Sequence, residues 1–252
     1  MDLILLLKAF LLGLVEGATE FLPISSTGHL IIVGDLLHFN DDKGKIFEIV
    51  IQLGAILAVC YEFRKRLFTT LTQMTKQASA QRFVVNLFIA FLPLAILGLA
   101  FHHVITQYLF SPITVAIALI VGGFAILFIE NNIKTPVTIN VDALSHKQAL
   151  QIGFAQALAL VPGVSRAGAT ILGGMLFGLS RQTATEFSFF LAIPTMFAAT
   201  TYDLLKNWRL LSVGDVPMFV VGFITAFISA LLVIKMLLRF VATHNFKVFA
   251  WY

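Results

Sequence analysis

Two short stretches of the chain carry side chains able to handle a phosphoryl group. The first runs Glu16-Gly-Ala-Thr-Glu20-Phe-Leu-Pro23-Ile-Ser25-Ser26-Thr27-Gly-His29, the second Pro162-Gly-Val-Ser165-Arg166-Ala-Gly-Ala-Thr170. Glu16 and Glu20 stand four residues apart, so on a helix both carboxylates share a face. There they could hold a divalent cation that neutralises charge developing on phosphoryl oxygens. The plainer reading is a carboxylate pair neutralised by protonation or by Arg166. Ser25, Ser26 and Thr27 precede an apolar run and are N-cap candidates, and Ser165 holds the matching place in the second stretch. Capping accounts for one hydroxyl per helix; it does not account for three in a row, for His29, or for an arginine directly after the capping serine. A helix N-terminus binds anions through unpaired N–H groups and its partial positive charge. Arg166 adds a planar fork suited to phosphate oxygens. Ser26 and His29 are three apart, so an imidazole could take a hydroxyl proton or serve a leaving oxygen. The parts assemble into phosphoryl transfer. Glu20, Ser26, His29 and Arg166 are the catalytic candidates; Ser25, Thr27, Ser165, Arg166 and Thr170 form the phosphate cradle; Glu16 and Glu20 are the metal candidates.

These groups sit in a sequence built for a bilayer. Of 252 residues, 59% are hydrophobic and 12% charged, about half the usual charged share of a soluble domain. The formal net charge of +4 is no nucleic-acid signal, because the basic residues cluster at span ends, where they set orientation. The run Leu3–Leu7 follows Asp2 and is interrupted by Lys8, with no small-residue cleavage site before Glu16, so the N-terminus reads as mature structure. A helix crosses the hydrocarbon core with about 20 apolar residues. Ile46–Tyr61, Phe83–Phe101, Ile113–Ile129, Glu186–Leu205 and Val216–Leu238 are the candidate full crossings, the first of them short. Leu3–Leu37 and Gln148–Leu179 each read instead as an apolar arm, a polar elbow and a second apolar arm. Lipid cannot satisfy the exposed backbone of an elbow, so each must lie within protein or line a wet cavity. Both are expected to be re-entrant helical hairpins.

The two hairpins share residues at a constant offset: Gly13 with Gly153, Glu16 with Gln156 and Ser25 with Ser165, with Pro23 and Pro162 slipped by one. Three full spans lie between them, so the copies enter from opposite faces, as in inverted-repeat transporters. The expected fold is all-α: a single integral membrane domain over residues 1–252, with one repeat at about 1–131 and its inverted copy at about 141–252. Arg64, Lys65, Arg66, Lys76 and Arg82 place their gap in the cytoplasm. Alternation then puts the Lys134–Lys147 loop, Lys235 and Arg239 inside as well. Lys206 and Arg209 fall outside as an exception.

At the two phosphate-handling stretches the chain resembles the bacterial undecaprenyl-diphosphate phosphatases of the BacA type. The similarity continues through Gly173-Gly174, Ser180-Arg181, Glu186-Phe187-Ser188 and Gly222–Phe227. The resemblance implies removal of the terminal phosphate of undecaprenyl diphosphate, which recycles the lipid carrier of peptidoglycan synthesis. It implies protection against bacitracin and a site in the bacterial inner membrane opening to the periplasmic, outer face. It also implies a divalent cation, Mg2+ or Ca2+, and roles for Glu16, Glu20, Ser26, His29 and Arg166. Ser26, His29 and an activated water all remain open as the attacking group, with Ser26 favoured. Relatives of this kind close with a further apolar helix. Here His244–Tyr252 is too short to span, so five spans are visible and a sixth is expected to be truncated or lost. The expected partners are the polyprenyl lipid and the membrane; a homodimer is left open.

Other residues do not call for chemistry. Cys60 reads as a buried inert thiol, His102 and His103 as interfacial caps, and Glu130 as the end of a span facing the basic loop. Thr183-Ala-Thr-Glu186 has the pattern of a capping box, Ser145 is expected to cap the arm containing His146 and Lys147, and Pro194 is expected to kink its span. The competing function is a transporter or flippase of a phosphorylated polyprenyl lipid, for which crossed half-helices are also suited. A continuous charged path to both faces would mark it, and the sequence holds one polar cluster.

Overall fold

A computed structural model describes residues 3–39, 42–109, 111–133, 135–207 and 213–252. Lys134 and Arg209, used above for orientation, lie outside them, as does the side chain of His102. The described chain is helical: α1 (Leu3–Thr19), α2 (Ser26–Leu36), α3 (Asp42–Glu62), α4 (Arg64–Gln73), α5 (Ala78–Val104), α6 (Pro112–Asn132), α7 (His146–Ala157), α8 (Arg166–Leu176), α9 (Arg181–Asn207), α10 (Val216–Val241) and α11 (Lys247–Trp251). By length and composition α5, α6, α9 and α10 can each cross a membrane. The fifth expected crossing is a bent pair: α3 and α4 meet at 71°. The basic gap after Tyr61, read from sequence as a loop, thus holds a ten-residue helix, α4. Its Phe68 and Leu71 are exposed beside Arg64, Lys65 and Arg66, the mixture expected of a helix at a membrane surface.

The arms α1, α2, α7 and α8 have 17, 11, 12 and 11 residues, short of the roughly 20 needed to span. α1 packs on α2, and α7 on α8. Each pair then docks on the far half of the sequence or its neighbour in a reciprocal way: α1 lies along α10, and α7 along α5. Both seams depend on a glycine. A Cβ at Gly13 would overlap the carbonyl of Gly222, and one at Gly153 the carbonyl of Ala90. Backbones can approach this closely only where no side chain intervenes. α9 and α3 pack together between these seams, and Phe21, Phe63, Phe83, Phe189 and Phe190 interlock at edge or tilted angles across them.

One end of the bundle is tied by charge. Arg66 pairs with Asp142, Arg82 donates to the Asp142 carbonyl, and Asn86 bonds both Leu144 O and His146. The two basic segments assigned to one face are therefore joined in space, and Lys235 reaches Glu62 at 3.6 Å near the same helix ends.

Three local expectations are corrected. Glu130 does not face the basic loop: its carboxylate is buried, pairs with Arg181 and accepts the Phe246 N–H at 2.8 Å. A lone buried carboxylate would be costly, and these two partners offset that cost. The residue that caps α9 is Ser180, whose Oγ accepts from Thr183 N at 3.1 Å, so Thr183 lies inside the helix and no box forms with Glu186. Cys60 is half-buried rather than buried. Ser145 caps α7 with a full capping box through Gln148, as its position suggested. The segment after Val241 forms the short helix α11, which packs along α6.

Candidate active site

The first elbow, between α1 and α2, is set by Ser25. Its backbone has φ +65°, in the left-handed region that non-glycine residues rarely adopt. Its hydroxyl accepts the N–H of Gly28 at 3.4 Å and so caps α2. The cost of such a conformation, about 1–3 kcal/mol, persists only where surrounding contacts enforce it. One contact that does so here is His29: its Nδ1 lies 2.8 Å from the Ser25 carbonyl. The second elbow turns at Gly163, φ +94°. There Ser165 Oγ accepts from Gly168 N at 3.0 Å, capping α8, and donates to Leu22 O at 3.1 Å in the first elbow. The two elbows are hydrogen-bonded to each other.

Across this junction Arg166, the first residue of α8, reaches Glu20. Nη2 donates to Glu20 Oε1 at 2.9 Å, and the two side chains are only 12% and 10% exposed. Nη1 donates to Ser188 O at 3.2 Å, and the guanidinium lies over the Phe21 ring. The other Glu20 oxygen, Oε2, accepts a hydrogen bond from the Ser26 hydroxyl. One carboxylate therefore holds both a hydroxyl nucleophile candidate and the anion-binding arginine. Hydrogen bonding on both oxygens fixes its orientation.

These groups line a cavity of about 230 Å³. Glu20, Ser25, Ser26, Thr27, Ser165 and Arg166 supply its polar wall, and Ala159, Val164, Met196 and Ala199 its apolar one. Three sequence candidates are placed elsewhere. Thr170 is buried one turn deeper in α8, where its hydroxyl bonds Ser188 Oγ at 2.6 Å and Arg166 O at 2.9 Å, so it braces the helix beneath the arginine. His29 does not line the cavity and does not meet Ser26. A residue three positions on in a helix shares its neighbour's face only roughly, and the Ser25 carbonyl captures the ring. Glu16 is wholly buried, and neither of its oxygens has a hydrogen-bond partner. Glu20, Glu48 and Arg166 are the charged groups near enough to act on it.

Sequence reasoning passed over Gln52, Ser188 and Thr195. Gln52 and Thr195 line the cavity; Ser188 receives Arg166 through its carbonyl and Thr170 through its hydroxyl. Their signal was present: each is a polar side chain inside an otherwise apolar span, where such groups face the protein interior. Thr195 also bonds Gln156, the counterpart of Glu16 in the second hairpin, whose amide nitrogen is satisfied by Ala90 O. The same position thus carries a neutral amide bonded through both its oxygen and its nitrogen in one hairpin and an unpartnered carboxylate in the other.

For a divalent cation, the donors on hand are oxygens: the Glu20 carboxylate, the serine and threonine hydroxyls and the Gln52 amide lining the cavity, and the Glu16 carboxylate buried outside it. That is the chemistry of Mg2+ and Ca2+, and Mg2+ commonly takes only one or two protein carboxylates together with substrate phosphate and water. Among the described residues no group of three or more His, Cys, Asp or Glu stands ready to cage a metal unaided. The unpartnered oxygens of Glu16 have the donor chemistry for such a cation.

The chain is also similar to known proteins over its whole length. The sequence profile of the family described as bacitracin resistance protein BacA matches residues 9–252. The chain is 65% identical to an undecaprenyl-diphosphatase of Methylobacillus flagellatus, over all of this chain and 95% of that protein. It is 61% identical to one of Nitrosospira multiformis and 59% to one of Dechloromonas aromatica, in each case over the whole chain and 92% of the relative.

Proposed function

The chain belongs to the bacitracin resistance protein BacA family and is a bacterial multi-pass membrane undecaprenyl-diphosphatase, and we propose that Ser26, activated by Glu20, is the group that attacks the terminal phosphorus. The single observation that carries this is the Glu20 carboxylate bonded at once to the Ser26 hydroxyl and the Arg166 guanidinium. Ser26 Oγ forms a bond to the terminal phosphorus as its proton passes to Glu20. The bond from that phosphorus to the bridging oxygen breaks, and undecaprenyl phosphate leaves with the electron pair. Glu20 passes that proton to the departing undecaprenyl phosphate. Water then attacks the phosphoserine as one of its protons passes to the freed Glu20 carboxylate, which hands it on to Ser26 Oγ. Inorganic phosphate departs and Ser26 Oγ recovers its proton.

Arg166 and the N–H groups opening α2 and α8 offset charge on the phosphoryl oxygens, as oriented donors in a water-poor site do. Ser25, Thr27 and Ser165 complete the cradle. His29 serves the elbow by holding the Ser25 carbonyl. A divalent cation fits at Glu16 and Glu20, where it would neutralise negative charge on the diphosphate.

The inverted repeat belongs to the same proposal. Reciprocal docking of α1 on α10 and of α7 on α5, through Gly13 and Gly153, supports two re-entrant hairpins of opposite insertion in one domain. With the basic segments inside, the cavity opens toward the outer face. A flippase would share the half-helices but has no use for a serine bonded to a carboxylate base. The test is phosphate release from undecaprenyl diphosphate by purified protein in detergent, with and without chelator. Turnover by wild-type protein that persists in Ser26→Ala and Glu20→Gln would remove this assignment.

A further inference from the structure

Tyr252 meets the first hairpin across 223 positions of sequence. The Tyr252 hydroxyl lies 3.1 Å from His29 Nε2, and the two rings stack with centroids 5.7 Å apart and planes 7° from parallel. This contact is positioned by structure. The Phe246 N–H is anchored on Glu130, α11 lies along α6, and the Ala250 carbonyl sits close against Gly123. α6 also packs on α2, where Val115 and Leu119 face Gly28. The register of α11 on α6 thus delivers Tyr252 to the ring that bonds Ser25.

The direction of each hydrogen bond follows from the atoms. A carbonyl can only accept, so the proton on His29 must reside on Nδ1, 2.8 Å from Ser25 O. In the neutral ring Nε2 then carries a lone pair, and the Tyr252 hydroxyl donates to it. Without that donor the ring could adopt the opposite tautomer. It would then turn an Nδ1 lone pair toward the Ser25 carbonyl, two acceptors facing each other, and the clamp on Ser25 would open. Ser25 holds a positive φ, and the next residue is the serine bonded to Glu20. We propose that Tyr252 is a positioning residue of the reaction: its hydroxyl selects the His29 tautomer that clamps the Ser25 elbow and so aims Ser26.

This inference rests on Ser26 and Glu20 as the reacting pair, and two readouts separate it from that reading. In phosphate release from undecaprenyl diphosphate, Tyr252→Phe keeps the stacked ring and removes the hydroxyl. It should lower kcat about threefold to tenfold, the range expected for losing one hydrogen bond, with KM within about twofold of wild type. The double variant His29→Ala/Tyr252→Phe should be no slower than His29→Ala alone, because Tyr252 acts only through the ring. Losses that multiply, or an unchanged kcat in Tyr252→Phe, overturn the proposal. The second readout needs no turnover. Nitrogen-15 spectra of histidine-labelled protein should show His29 protonated on Nδ1, and Tyr252→Phe should shift its Nε2 resonance and populate the Nε2–H tautomer. An Nε2 resonance that does not move overturns the proposal even where wild-type turnover is normal. Turnover that persists in Ser26→Ala, with the Nε2 shift seen in Tyr252→Phe, would sink the reacting pair and leave the clamp standing.

Discussion

Glu20 and Arg166 are separated by 146 positions in the chain and by 2.9 Å in space. The bond joins the elbow of the first hairpin to the opening residue of α8 in the second, so neither hairpin alone contains a site. Removing either partner strands a charge that is about nine-tenths buried, besides removing a group aimed at the phosphate. Glu20→Ala and Arg166→Ala should each lower kcat/KM by about 100- to 1,000-fold, the usual loss when an oriented charge-stabilising donor is deleted. Arg166→Lys restores the charge without the fork, and should recover only part of the rate. Full activity in Arg166→Lys would mean that charge alone suffices.

The hydrogen bond from Ser26 to Glu20 predicts a covalent intermediate. Brief reaction with substrate labelled in the terminal phosphate, followed by acid quench, should leave label on wild-type protein and none on Ser26→Ala. Glu20→Gln should form label slowly, since an amide cannot take the proton. Rapid phosphate release with no trapped label at any time would point to direct attack by water.

Glu16 leads to a metal prediction. Its oxygens have no hydrogen-bond partner in a buried setting, a state that is costly unless the group is paired or bound to a cation. Chelation should abolish turnover, and Mg2+ or Ca2+ should restore it. In Glu16→Gln the cation concentration giving half-maximal rate should rise at least about tenfold, in line with removing a charged ligand. An unchanged cation requirement would exclude Glu16 as a ligand.

The glycine seams should matter to stability alike in both halves. Gly13→Val and Gly153→Val each force a side chain into a facing carbonyl, and the overpacking should cost about 1–3 kcal/mol or more. Thermal unfolding in detergent would show both midpoints lowered. Gly122→Val is the control, since nothing lies within 4 Å of a Cβ there, and it should unfold close to wild type. A seam variant as stable as this control would contradict the reciprocal packing.

Much of this protein was legible in the order of its residues. Low charge and long apolar runs specify a membrane protein, because backbone and side chains must satisfy one solvent along each span. The helix breaks between α1 and α2 and between α7 and α8 were legible because prolines, serines and charges interrupt runs that lipid would otherwise demand intact. The capping roles of Ser25, Ser145 and Ser165 were legible because a cap is a contact within three residues. The failures share one cause. The capping-box pattern at Thr183 yielded to Ser180 because the helix begins two residues before Thr183, and Glu130 turned inward because Arg181 and the Phe246 N–H wait there. His29 was paired with Ser26 by spacing, yet the ring is held by the Ser25 carbonyl and by Tyr252. Gln52, Ser188 and Thr195 become part of the site only when α3 and α9 pack against the elbows. Sequence fixes local periodicity, polarity and capping, which depend on near neighbours. The pairing of Glu20 with Arg166, and of His29 with Tyr252, depends on how helices distant in the chain dock. That is decided by side-chain shape at seams such as Gly13 on Gly222, and only the folded structure reports it.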